Sequence, residues 1–220
     1  MSEKLLIDVS EHILTITFNR PDKYNALDPD TFYQLAKALY QLQHDPELRV
    51  AVIQANGKHF TSGLELDKWA PIFAKGGMPE LPEGHIDPYG MQGELLTKPV
   101  IIAVQGICYT SGLELLLNSD IHLATADARF AQLEVQRGLY ACGGGTVRLP
   151  LTIGWSNAQR YLLTGDEFNA EQAFAWGMLQ EIVEFDQLHQ RARKIAQKIA
   201  KAAPLGVQAS LRSSKLCRRH

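Results

Sequence analysis

One passage constrains the fold of this chain more than any other: Lys98 to Asp120, reading KPVIIAVQGICYTSGLELLLNSD. After Pro99 comes an unbroken apolar run, Val100 to Val104. So short and uniform a run fits a strand covered on both faces, since a strand with one wet face alternates. Gly106 breaks it. Thr110, Ser111 and Gly112 then open a helix in which Leu113, Leu115, Leu116 and Leu117 are apolar. The two hydroxyl residues are expected to cap that helix. Its first-turn N–H groups have no acceptor within the helix and gather partial positive charge, which suits an oxygen that becomes negative during a reaction. Glu114 stands in the same turn among leucines. The pattern leaves open whether it is a solvated surface acid or a tuned acid–base group.

A related turn precedes this one. Val50 to Ile53 reads as a strand, Gln54 to Lys58 as a loop, and His59 to Asp67 (HFTSGLELD) as a second glycine turn with a helix starting near Leu64. Two such turns, facing each other, would offer two backbone donors to one oxygen. Upstream, Leu5–Val9 and Ile13–Phe18 read as a hairpin with His12 in its turn. Asp28-Pro29-Asp30 starts a helix with Leu35, Leu39 and Leu42 on its core side, ending near His44-Asp45-Pro46.

Residues 74–90 are rich in glycine and proline and lack periodicity, which fits either a lid over a site or a mobile surface loop. His85 within it reads as solvent-exposed. Ile121–Ala124 reads as a core strand, and a partly apolar segment around Glu134 follows. The run Gly143-Gly144-Gly145 lacks the Lys-Ser/Thr ending of a phosphate loop, so close backbone packing is the better reading. Residues 149–163 read as one helix, 170–176 as a short helix and 179–183 as a last strand. An amphipathic helix over 186–202 carries Leu188, Ala192, Ile195 and Ile199 on one face, and another helix starts at Leu205 after Pro204. No internal repeat is evident.

Composition removes several function classes. With 220 residues, 45% of them hydrophobic, the chain can bury a substantial core, as one domain or one domain with a helical appendage. The net charge of −2 implies no general attraction to nucleic acid or membrane. Arg212, Lys215, Arg218 and Arg219 form a small basic tail that reads as a solvated end. Three separated cysteines, Cys108, Cys142 and Cys217, suggest a reducing compartment and no structural zinc. The N-terminus lacks an apolar signal core, and no apolar run approaches the ~20 residues of a membrane helix. A cytoplasmic protein without a metal site is expected.

Five passages in order carry a resemblance over nearly the whole length: ITFNRPDKYNAL, HFTSGLELD, KPVIIAVQGICYTSGLELLLNSD, FAQLEVQRGLYACGGGTVRLP and LTGDEFNAEQAFAWGMLQEIV. On these the chain resembles the crotonase (enoyl-CoA hydratase/isomerase) superfamily. The resemblance implies an α/β fold, a crotonase-like spiral of ββα turns over residues 1–185 with a C-terminal helical segment over 186–220. That segment ends before the further helical structure usual in the family, so a truncated region is expected. It also implies an acyl-coenzyme A substrate, no cofactor, and a homotrimer or dimer of trimers.

By motif, the implied oxyanion donors are the N–H groups of Leu64 and Ser111, and the implied catalytic acids are Glu114 and Glu134. Lys23, Ala26 and Leu27 resemble the segment touching the coenzyme's nucleotide and pantetheine. Leu64, Glu65, Leu66 and Asp67 resemble the segment lining the thioester. Hydratases of the family carry glutamates at both acid positions, so the pair favours hydration of a 2-enoyl thioester. Two like charges in proximity raise one proton affinity, which lets one acid stay protonated at neutral pH. Departures are Glu65 for the more usual Asp, Thr110-Ser111 for two glycines, and Ala141 for a Pro. The GLELD passage also resembles a dienoyl-CoA isomerase branch, whose additional acid falls here on Cys142. Double-bond isomerisation and a non-catalytic binding role are the competing readings.

Overall fold

A computed structural model describes residues 3–216. The expectations placed on Cys217, Arg218 and Arg219 therefore lie outside the described residues. The N-terminal hairpin joins β1 (Leu5–Ser10) to β2 (Ile13–Phe18) through Glu11 and His12, both with positive φ (54° and 64°). Helix α1 (Pro29–His44) starts where the sequence places it. The Asp28 carboxylate accepts from the Thr31 N–H at 2.9 Å, and Pro29 takes the first turn, where a missing N–H is harmless. Its buried side, Phe32, Leu35, Leu39 and Leu42 among others, lies in the larger of two core clusters.

Three successive turns build the spiral. The first runs from β3 (Val50–Ala55) through a bridge at Thr61 to α2 (Leu66–Phe73). The second is β4 (Val100–Val104), β5 (Ile107–Tyr109) and α3 (Ser111–Asn118). The third is β6 (Ile121–Ala124), β7 (Arg129–Ala131) and a 3-10 turn at Glu134–Arg137. Beyond it come α4 (Gly145–Ile153), α5 (Trp155–Thr164), β8 (Phe168–Asn169), α6 (Ala170–Ala175), β9 (Glu181–Ile182), α7 (Leu188–Lys201) and α8 (Pro204–Leu216). The main sheet has the order β1-β2-β3-β4-β6-β9 and is parallel except for the first pair. A smaller sheet, β5-β7-β8, stands beside it. Every residue of β4 is buried, which is why that strand reads as an unbroken apolar run.

The other core cluster lies on the opposite sheet face. There Ile13, Val50, Val52, Ile101, Ala103 and Leu123 meet Leu188, Ala192, Ala196 and Ala200 of α7. Small alanines at a four-residue spacing let the helix lie close to the strands. Several expectations are corrected. The helix expected from Leu64 starts at Leu66, because Leu64 is held in a bridge with Leu27. The single helix expected over 149–163 breaks at Gly154, whose φ of 81° no helix accommodates. The last strand shrinks to Glu181–Ile182. Neither hydroxyl caps α3, since Thr110 enters it with φ 49° and ψ −115° and makes no capping bond.

Candidate active site

The two glycine turns lie side by side. Thr61 N–H donates to the Ile107 carbonyl and Tyr109 N–H to the Thr61 carbonyl, each at 3.1 Å. The first turn is tied from its other side as well: Leu27 N–H donates to the Gly63 carbonyl at 2.8 Å and Glu65 N–H to the Leu27 carbonyl at 3.0 Å. That pattern turns the Leu64 N–H away from its own bridge. Ser111 is the first residue of α3, where an N–H has no acceptor within the helix. Among the described residues, neither the Leu64 nor the Ser111 N–H has a protein acceptor. Gly63 (φ 97°) permits the contact between the turns: a Cβ there would fall 1.8 Å from Thr110 Oγ1.

Glu114, one turn into α3, is 4% exposed, so the surface-acid alternative falls away. Its Oε1 accepts from the Gly145 N–H at 3.0 Å, at the entrance of α4. The glycine run exists to admit it, for a Cβ on Gly143 would stand 2.6 Å from Glu114 Oε2. The group received at that helix entrance is thus the chain's own carboxyl. Glu134 is half-buried at the start of its 3-10 turn. Gln132 holds the second acid. With its amide nitrogen toward Glu134 it donates to both carboxylate oxygens, at 3.0 and 3.1 Å, while the end of the same amide lies against Gly145.

Burial pushes the Glu114 carboxyl up to about 8, opposed by the Gly145 N–H and assisted by the charge of Glu134. Burial pushes Glu134 up to about 7. The repulsion falls on Glu114 because Glu134 ionises first, against a still neutral neighbour, and the pair titrates as a unit. A stability consequence follows. An unfolded glutamate ionises near 4.5, so between there and about 8 the folded chain holds a proton that the unfolded chain has released. Stability is then lost as pH rises through that window. Glu114→Gln removes the loss while keeping the acceptor for Gly145. It is expected to be more stable than the parent by about 4 kcal/mol at pH 9 and little different at pH 4.5. Urea unfolding of both proteins at the two pH values measures this, and a gap independent of pH would contradict it.

Comparisons with known proteins identify the family. The family profile described as enoyl-CoA hydratase/isomerase matches residues 8–215. The chain belongs to the enoyl-CoA hydratase/isomerase family. It is 35% identical to (E)-benzylidenesuccinyl-CoA hydratase of Thauera aromatica over 96% of this chain and 81% of that one. It is 36% identical to carnitinyl-CoA dehydratase of Salmonella heidelberg, over 95% and 79% respectively. Among solved structures, a probable enoyl-CoA hydratase/isomerase from Mycobacterium abscessus superposes with a TM-score of 0.95 at 45% identity, covering 99% of this chain and 84% of that one. An enoyl-CoA hydratase from Mycobacterium tuberculosis gives 0.85 at 34%, covering 98% and 90%.

Within this crotonase-superfamily fold the remaining site candidates divide into two groups. Lys23, Leu66 and Asp67 are exposed, and Ala26 is half-buried, on the two segments that the Leu27–Leu64 bridge joins. These can reach a long ligand. Leu27 is buried, and the Glu65 carboxylate is held by Arg20 Nη1 at 2.8 Å, so these two secure the turn. Asn25 adds to this, accepting from Arg20 N–H and donating to the carbonyls of Asn56 and His59. Among the described residues no helix is long and apolar enough to cross a membrane. Two clefts, of about 240 and 300 Å³, lie away from the glutamates, beside Gln105 and His189 and beside His122 and Lys215. Neither is lined by two carboxyls.

Sequence reading missed Gln132 and Tyr89. Tyr89 comes from the irregular segment before β4. That segment is fastened rather than loose: the Asp87 carboxylate accepts from the N–H groups of Tyr89, Met91 and Gln92, and Asn118 Nδ2 donates to the Pro88 carbonyl. Tyr89 is buried with its ring against Gly143 and its hydroxyl beside Ser111. A lone aromatic in a glycine-rich stretch gave no periodic signal that could have marked it.

Proposed function

We propose that this chain adds water across the 2,3 double bond of an enoyl-coenzyme A thioester, giving the 3-hydroxyacyl thioester. The observation that carries the reading is the carboxyl pair of raised proton affinity, the charge of Glu134 acting on Glu114, beside two unpartnered backbone N–H groups. The thioester oxygen lies between the Leu64 and Ser111 N–H groups. One carboxylate takes a proton from water as the water oxygen bonds to C3. The π pair of the double bond shifts to lie between C2 and C1, and the carbonyl π pair moves onto the thioester oxygen, which the two donors stabilise as an enolate. The other carboxyl delivers its proton to C2, and the enolate returns to a carbonyl. Water has been added, and the pair has accepted one proton and given one. No cofactor is required.

Such chemistry needs one ionised and one protonated acid at once, and two acids poised near 7 and 8 meet that need at neutral pH. Double-bond isomerisation through a further acid at the Cys142 position fits less well. Partial desolvation and the charges of Glu114 and Glu134 push that thiol up, so it stays protonated and is a poor proton carrier. A screen of 2-enoyl thioesters of increasing chain length, followed by loss of conjugated absorbance, is expected to show hydration with a defined chain-length optimum. Product analysis showing migrated double bonds without added water would replace this reading with isomerisation. Absence of turnover on every thioester would end it.

A further inference from the structure

Thr110 is a β-branched residue at φ 49° and ψ −115°, a region that suits glycine. Such a conformation persists only where the surroundings hold it, and it collects at functional sites. Here the N–H of Thr110 donates to the Ala131 carbonyl at 2.8 Å, which fixes the backbone. The side chain lies against Gly63, with Oγ1 where a Cβ of that glycine would go. Thr110 immediately precedes Ser111, and Gly63 immediately precedes Leu64. The hydroxyl is therefore one residue from each of the two open N–H groups. It caps nothing on α3 and has no hydrogen-bond partner among the described residues.

The neighbouring hydroxyls are placed differently. Ser111 Oγ is fully covered and faces the covered phenol of Tyr89, and neither makes a hydrogen bond of good geometry. Thr110 is half-buried. Of these three hydroxyls, it is the one left open, one residue from each backbone donor.

Resting on the hydration reading, we propose that the Thr110 hydroxyl is a third donor to the thioester oxygen, a catalytic residue specific to this chain's Thr-Ser turn. A hydroxyl rotates freely and turns its proton toward whichever oxygen is offered. Toward the neutral carbonyl it adds an ordinary hydrogen bond, and toward the enolate a charge-assisted one, so it acts mainly on the transition state.

The test uses Thr110→Val, which keeps the shape and loses the O–H, with Thr110→Ser and Thr110→Gly beside it. The first readout is the absorbance of bound acetoacetyl-CoA, whose enolate the donors favour and which needs no turnover. Thr110→Val is expected to lower the enolate-to-ketone ratio about 10-fold, and kcat for hydration about 10-fold, with KM within about twofold. Thr110→Ser is expected to retain both. Thr110→Gly relieves the backbone and removes the hydroxyl, so it should match Thr110→Val in enolate ratio even if it folds more stably. Valine or glycine variants with the parent ratio would overturn the proposal. A parent that enolises acetoacetyl-CoA but hydrates no enoyl thioester would refute the hydration reading and leave the third donor standing. A parent that does not enolise it overturns both.

Discussion

Replacing Glu134 by Gln is expected to lower kcat for enoyl thioester hydration by about 10³-fold, and Glu114→Gln by a similar factor, each with KM changed little. The reaction moves two protons, one off water and one onto C2, and the two carboxyls are poised for complementary halves of that work. Glutamine keeps the shape and the hydrogen-bond acceptor for Gly145 but can neither take nor give a proton. The double variant is expected to be little worse than either single one. Acids that share one set of protons fail as a unit once either is lost. The pH profile gives a second measurement. The parent's kcat/KM should be bell-shaped with limbs set by the pair near 7 and 8, and each single variant should lose the bell. Additive losses in the double variant, or a bell retained after either substitution, would mean that the two acids act independently and that the shared-proton account is wrong.

How much of this was legible before the structure differs from one element to the next. Strand β4 and helix α1 were readable nearly to the residue, because total burial and an Asp-Pro start leave local signals. The spiral was not visible as a repeat. Its three turns share a geometry but not a spacing, since residues 74–99 are inserted in the first and a 3-10 turn replaces the helix in the third. The carboxyl pair came from family resemblance, and nothing in the local pattern could decide the burial of Glu114. What covers that acid arrives from distant parts of the chain: Tyr89 from the insertion, Gly143 and Gly145 from the loop before α4. Reading the glycine run as close packing was right in kind. What it packs against is a carboxylate, which only the folded chain reveals. The capping expectation at Thr110 failed because the backbone there takes a positive φ, and side-chain type alone does not report that.

Gly63→Ala is expected to destabilise the fold by about 2–4 kcal/mol and to lower kcat by about 100-fold. The position needs glycine twice over. Its φ of 97° lies where an L side chain is strained, a cost of about 1 kcal/mol or more. A methyl group would also stand 1.8 Å from Thr110 Oγ1 and 3.2 Å from the Tyr109 carbonyl oxygen. The hydroxyl can rotate away only by leaving its place between the turns. The carbonyl belongs to β5 backbone, which is hydrogen-bonded to Thr61 and β7 and cannot give way alone. The strain is therefore relieved by separating the turns, which spreads the Leu64 and Ser111 donors and weakens their joint hold on one oxygen. Adding Thr110→Gly to the alanine variant separates the two causes. It removes the clash with the hydroxyl but not the backbone strain, so it should restore about half of the lost stability. Urea unfolding of the single and double variants, alongside hydration rates, measures both. An alanine variant within about 0.5 kcal/mol of the parent, with unchanged kcat, would show that the two turns are not in the contact described, and that the spacing of the donors does not depend on this glycine.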